Sequence, residues 1–156
     1  LAMGRPEGPG CYCAANHMLR QAIDRLGDSY RTVVVDNEAG MEHISRQTTR
    51  DVDFLFVISD PTQRGLAAVS FIARLIDSLG TRIGRAGLVL NRVTGEVPEP
   101  LRTTIEVLPV PLLGTLPEDP AIGRYDAEGR PLVELDDTSA IYPAVKAILR
   151  QCLATA

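Results

Sequence analysis

Two kinds of apolar pattern alternate along the chain. Thr32-Val33-Val34-Val35-Asp36, Phe54-Leu55-Phe56-Val57-Ile58 and Ala86-Gly87-Leu88-Val89-Leu90 are near-continuous apolar runs. Such runs are the signature of parallel strands covered on both faces. Leu112-Leu113-Gly114-Thr115-Leu116 reads as a shorter fourth strand. Between the runs, apolar residues recur at helical spacing. Ala15, Met18, Leu19, Ala22, Ile23 and Leu26 predict a helix over 14–26 that stops at Gly27. Leu66, Val69, Ile72, Ala73, Ile76 and Leu79 predict a second over 62–79, followed by Gly80. A last helix is expected to start near Asp137-Thr138-Ser139, with Ile141, Val145, Ile148 and Cys152 on its inner face. Shorter helices are expected near 42–50 and 98–107. Strands alternating with helices imply an α/β three-layer sandwich with a mostly parallel sheet.

Composition sharpens this picture. At 156 residues and 45% hydrophobic, the chain is long enough for one domain with a core, and it shows no repeat or linker. A single domain over 1–156 is therefore expected. The net charge of -4 supplies no basic field for nucleic acid. No apolar run approaches the ~18 residues of a membrane span, and Leu1-Ala2-Met3-Gly4-Arg5 lacks a signal-peptide layout. An odd cysteine count, with Cys11 and Cys13 too close for easy pairing, fits a reducing cytoplasm.

Open parallel sheets bind ligands outside the carboxyl ends of their strands. Four polar, turn-rich segments fall there: Asp36-Asn37-Glu38-Ala39-Gly40, Ser59-Asp60-Pro61-Thr62, Asn91-Arg92-Val93 and Pro117-Glu118-Asp119-Pro120. A strand-end Asp such as Asp36 can orient the water shell of Mg²⁺ beside phosphates. Gly40, four residues on, can let a backbone N–H approach a terminal phosphate. The plainer reading makes Asp36 a helix cap and Gly40 a turn. Asn91 can both donate to and accept from an adenine edge and Arg92 can stack over the ring, or the pair is a solvated loop turn. Pro117 to Asp119 reads either as the far wall of a base pocket or as a helix start with an acidic first turn.

Cys11 and Cys13 follow Gly4-Arg5-Pro6-Glu7-Gly8-Pro9-Gly10, a loop that holds both thiols near the surface. Thiolates suit Zn²⁺ and other late transition metals, and a closed tetrahedral site needs four ligands. A second copy of the pair across a two-fold axis completes the set most simply; the plainer reading is two partly exposed thiols with no ligand. His17 is a candidate further ligand or an exposed surface residue, His43 reads as surface, and Cys152 reads as core. No Gly-rich loop ending in Gly-Lys occurs, and Lys146 is the only lysine. The chain itself therefore contains no P-loop lysine for nucleotide phosphates.

The segment Gly4 to Ala14, Asp36-Asn37-Glu38-Ala39-Gly40-Met41-Glu42-His43 and Asn91-Arg92 together resemble the CooC-type maturation ATPases of nickel carbon monoxide dehydrogenase. These are part of the MinD/ParA branch of deviant-Walker P-loop ATPases. The resemblance covers nearly the whole chain but only the C-terminal portion of such a protein, without the N-terminal P-loop strand. It implies ATP/ADP with Mg²⁺ in the full-length protein, with Asp36 on the Mg²⁺ side and Gly40 as the γ-phosphate switch. It implies Asn91, Arg92, Pro117 and Asp119 around the adenine, and Zn²⁺ or Ni²⁺ on Cys11 and Cys13 in a homodimer. The implied client is carbon monoxide dehydrogenase or another nickel enzyme. The alternatives are a non-enzymatic Cys-x-Cys dimerisation module and a MinD/ParA-like positioning ATPase.

Overall fold

The computed structural model describes residues 13–27, 29–37, 51–76 and 82–153, with side chains from position 17 onward in the first stretch. In order, the elements are α1 (Cys13–Gly27), β1 (Asp51–Ser59), α2 (Gln63–Ile76), β2 (Arg82–Val93), α3 (Glu99–Glu106), β3 (Leu112–Pro117), α4 (Pro120–Ala127), a 3₁₀ turn (Leu132–Glu134) and α5 (Ile141–Leu153). The chain divides into two compact units, Leu1–Asp53 with Leu75–Gly84, and Phe54–Arg74 with Arg85–Ala156. Among the described residues the sheet has three strands in the order β1-β2-β3, and β2 pairs with β3 in parallel.

The second unit holds the core. Side chains alternate across a strand, so the run Leu88-Val89-Leu90 serves both faces of the sheet. Leu88 and Leu90 join Val57, Leu66, Val69, Ala73, Leu101 and Val110 on the face covered by α2 and α3. Val89 joins Ile148 and Cys152 on the other, with Phe54, Phe56, Leu113 and Leu116 packed alongside. Burying both faces explains why β2 reads as a continuous apolar run rather than an alternating one. Leu66, Leu88, Leu90 and Val69 are the largest fully buried side chains, each contributing about 1.5–3 kcal/mol relative to exposure. Cys152 is buried, as its place on the apolar stripe predicts.

Local chemistry sets the helix ends. Thr62 Oγ1 accepts from the Gly65 N–H at 3.0 Å, and the Thr62 carbonyl from Leu66 N–H, opening α2 after Pro61. Prolines sit in the first turns of α3 and α4, where a missing N–H costs nothing. α5 begins at Ile141, later than the expected 137–139, because those residues are spent on the approach to it. Asp136 Oδ1 accepts from the Thr138 N–H at 2.8 Å, and the Asp136 carbonyl from the Ser139 N–H at 2.9 Å. Ser139 Oγ then accepts from the Ile141 N–H at 3.3 Å.

In the first unit, α1 forms where its spacing predicts. Asp51 and Arg82, at the starts of β1 and β2, form an exposed ion pair at 2.7 Å. The sequence expectation fails at 32–36. That run forms no strand, and Val33, Val34 and Val35 are 45%, 88% and 42% exposed. β-branched residues favour strands through packing on neighbours, and among the described residues no neighbouring strand pairs with this run. The expected helix near 42–50 lies outside the described residues.

Candidate functional site

The carboxyl ends of β2 and β3 lie side by side. Val93 is opposite Pro117 in the ladder, and the Glu118 N–H donates to the Val93 carbonyl at 3.2 Å. The ladder is irregular just before this point. Leu90 faces Thr115 and Val93 faces Pro117, so β2 carries one more residue than β3 over the same length. That is a β-bulge, and it falls on Asn91 and Arg92. Bulges re-aim side chains and recur beside functional sites. Arg92 takes a φ of +58°, and it is the one non-glycine residue at positive φ among those described. Asn91 Oδ1 accepts the Arg92 N–H at 3.0 Å. Asn91 is half-buried and Arg92 is exposed. With its oxygen so engaged, the Asn91 amide offers its NH₂ group as donor, beside an outward-facing planar guanidinium.

Asp119 caps α4. Its Oδ1 accepts from the Ala121 N–H at 2.8 Å and its Oδ2 from the Ser139 hydroxyl. The Ser139 hydroxyl first, then the Ala121 N–H, with a smaller effect from the Arg124 charge, hold the Asp119 carboxyl below its ordinary range; desolvation opposes them. Asp136 is also lowered, by the backbone and side chain of Thr138. Asp119 thus ties the start of α4 to the approach to α5, and fixes the turn that follows Pro117. Ser139, its partner, went unnoticed as a site residue, although a serine just before a helix is a recognisable capping signal. A cavity of about 500 Å³ opens beyond this turn, with Asp119, Arg124, Tyr125, Leu135, Asp136 and Ser139 among its walls. Within its walls Asp119 is hydrogen-bonded to Ser139, and Asp136 to the Thr138 N–H.

Of the sequence candidates, Asn91, Arg92, Pro117 and Asp119 therefore gather at two neighbouring strand ends. Ser59-Asp60-Pro61-Thr62 closes β1 and leads into α2, and the helix packs tightly on this turn. A Cβ on Gly65 would come within 2.7 Å of the Asp60 carbonyl oxygen. Gln63 Nε2 reaches the Pro100 carbonyl and Thr104 Oγ1, both at 3.3 Å, linking α2 to α3. No sequence pattern announced that link. Asp36 belongs to the first unit, where it is exposed in irregular backbone. Gly40, Cys11 and His43 lie outside the described residues, and Cys13 opens α1. His17, one turn later, is exposed, its Nε2 3.0 Å from Gln21 Nε2. Among the described residues, no three His, Cys, Asp or Glu side chains cluster as a metal site.

No family model matches the chain. An uncharacterized ATP-binding protein of Methanocaldococcus jannaschii is 40% identical over 153 residues, 98% of this chain and 60% of that protein. The carbon monoxide dehydrogenase accessory protein CooC of Rhodospirillum rubrum is 28% identical over 126 residues, 78% of this chain and 46% of that protein. The chain thus spans about half to 60% of the length of these relatives. Among solved structures, the cell division ATPase MinD of Pyrococcus furiosus matches with a TM-score of 0.68 at 24% identity, over 90% of this chain and 59% of that one. MinD of Pyrococcus horikoshii, solved with Mg-ADP, matches with 0.66 at 24% identity, over 87% and 56%. The relatives in sequence include ATP-binding proteins, and the fold is the α/β parallel-sheet fold of MinD and ParA ATPase structures.

Proposed function

We propose that this chain is part of a nucleotide-dependent metallochaperone, in which ATP binding and hydrolysis drive nickel insertion into carbon monoxide dehydrogenase or another nickel enzyme. The observation that carries the nucleotide half is the pairing of the Asn91–Arg92 bulge with the Pro117–Asp119 turn at adjacent strand ends. In this reading the base lies between them. The Asn91 NH₂ donates to a ring nitrogen, the Arg92 guanidinium covers a face, and Asp119 holds the Pro117 turn in place. Asp36 and Gly40 serve the Mg²⁺ and γ-phosphate end. Nickel is the cargo, and Cys11 and Cys13 from two copies of the chain hold it or Zn²⁺. The likeness to CooC supports the cargo.

The test is ATP affinity of the full-length protein by calorimetry. Asn91→Ala removes one hydrogen bond to the base and should weaken ATP binding about tenfold in a chain that still folds by circular dichroism. Wild-type affinity in that variant would overturn the base assignment. A second reading, a MinD/ParA-like positioning ATPase, is favoured by the match to MinD structures. It keeps the same nucleotide contacts and predicts no metal-dependent step.

A further inference from the structure

We infer that Arg92 acts in the candidate base site as a positioning residue, through its left-handed backbone more than through its guanidinium. The inference rests on the nucleotide reading above and deepens it. A residue with a Cβ in the left-handed region is disfavoured, and non-glycine residues held there tend to mark sites where the surroundings impose the geometry. Arg92 has a φ of +58°, close to the centre of that region. Two other described residues at positive φ, Gly95 and Gly129, are the glycines expected in turns. Arg92 is therefore exceptional for its residue type.

The geometry gives this backbone a task. The bulge inserts one residue between the Leu90–Thr115 and Val93–Pro117 pairs. Turning Arg92 left-handed absorbs that residue, so that Val93 returns to register and its carbonyl meets the Glu118 N–H. The same turn points the Arg92 N–H at Asn91 Oδ1. An amide side chain has two orientations related by a flip, and only a fixed partner selects one. Here the Arg92 N–H selects it and commits the NH₂ of Asn91 to the ligand. One backbone conformation thus sets both the strand-end register opposite Pro117 and the donor face of Asn91.

The proposal separates backbone from side chain at one position. In the full-length protein, Arg92→Gly and Arg92→Asn remove the guanidinium but tolerate positive φ. Arg92→Val disfavours it. All three variants lose the guanidinium, so ATP affinity should fall about threefold in the Gly and Asn variants and about thirtyfold in the Val variant, the further factor of about ten being the share of the backbone. If ATP turnover is measurable, the loss should appear in KM with kcat unchanged. Arg92→Val should cost less in the Asn91→Ala background than in wild type, because part of its effect passes through Asn91. Equal losses in the Gly, Asn and Val variants, or an undisturbed Val variant, would overturn the inference while leaving the nucleotide reading intact. Absence of ATP binding by the wild-type full-length protein would overturn that reading, and this inference with it.

Discussion

Asp119 shows how much one carboxylate can organise. It accepts from the Ala121 N–H and the Ser139 hydroxyl, and these bonds lower its pKa. A carboxyl whose pKa is lower in the folded state contributes stability above its unfolded pKa, near 3.9, and that contribution disappears as pH falls through the folded value. Asp119→Ala should therefore lower the melting temperature at pH 7 by about 2–4 °C. The gap to wild type should narrow as the pH drops below about 4. Asp119→Asn keeps an acceptor for the cap and should lose less. A constant gap from pH 7 to pH 2, followed by thermal unfolding, would contradict this account. The residue was half legible in the sequence, where Pro117 to Asp119 reads either as a pocket wall or as a helix start; the structure makes Asp119 the cap of that helix. Its second bond was not legible, since Ser139 is 20 residues away and no local pattern encodes that distance. The positive φ of Arg92 was equally hidden, because arginine carries no signal for it.

At the scale of elements, the sequence revealed what burial on both faces dictates. β1, β2 and β3 enclose the three predicted runs in the second half of the pattern, and α2 and α5 bury the predicted stripe residues Leu66, Val69, Ala73, Ile148 and Cys152. It misjudged 32–36, because apolar β-branched residues state a preference for a strand and cannot supply its neighbour. The packing of α5 on β3 is close enough to test. A Cβ on Gly114 would sit 2.8 Å from Ile148 Cγ1, tighter than non-bonded carbons allow. Gly114→Ala should cost about 1–3 kcal/mol in urea unfolding. Ile148→Ala removes Cγ1, so the double variant should lose less than the sum of the two single variants. Additive losses would show that the two residues do not share the space. Arg85 secures the same layer from the side, donating to the Cys152 carbonyl with its guanidinium 5.1 Å from the Phe54 ring centroid.

At the scale of the whole molecule, the metal reading concerns two copies of the chain. Four thiolates from two Cys-x-Cys loops give a closed tetrahedral set, so about one Zn²⁺ or Ni²⁺ per two chains is expected for the full-length protein. Cys11→Ser/Cys13→Ser should abolish that stoichiometry in a metal titration and reduce metal-dependent dimerisation by ultracentrifugation. Unchanged metal content in the double variant would remove the cysteines from the site. No described helix is long and apolar enough to cross a membrane. The exposed run Val33-Val34-Val35 carries a different consequence. It is short, uncharged and β-branched, the composition of segments that stack into cross-β ladders, and Arg31 and Asp36 flank it. Charges in such flanking places act as gatekeepers against self-stacking. While those valines stay uncovered, Arg31 and Asp36 are the charges placed to oppose self-stacking of this run.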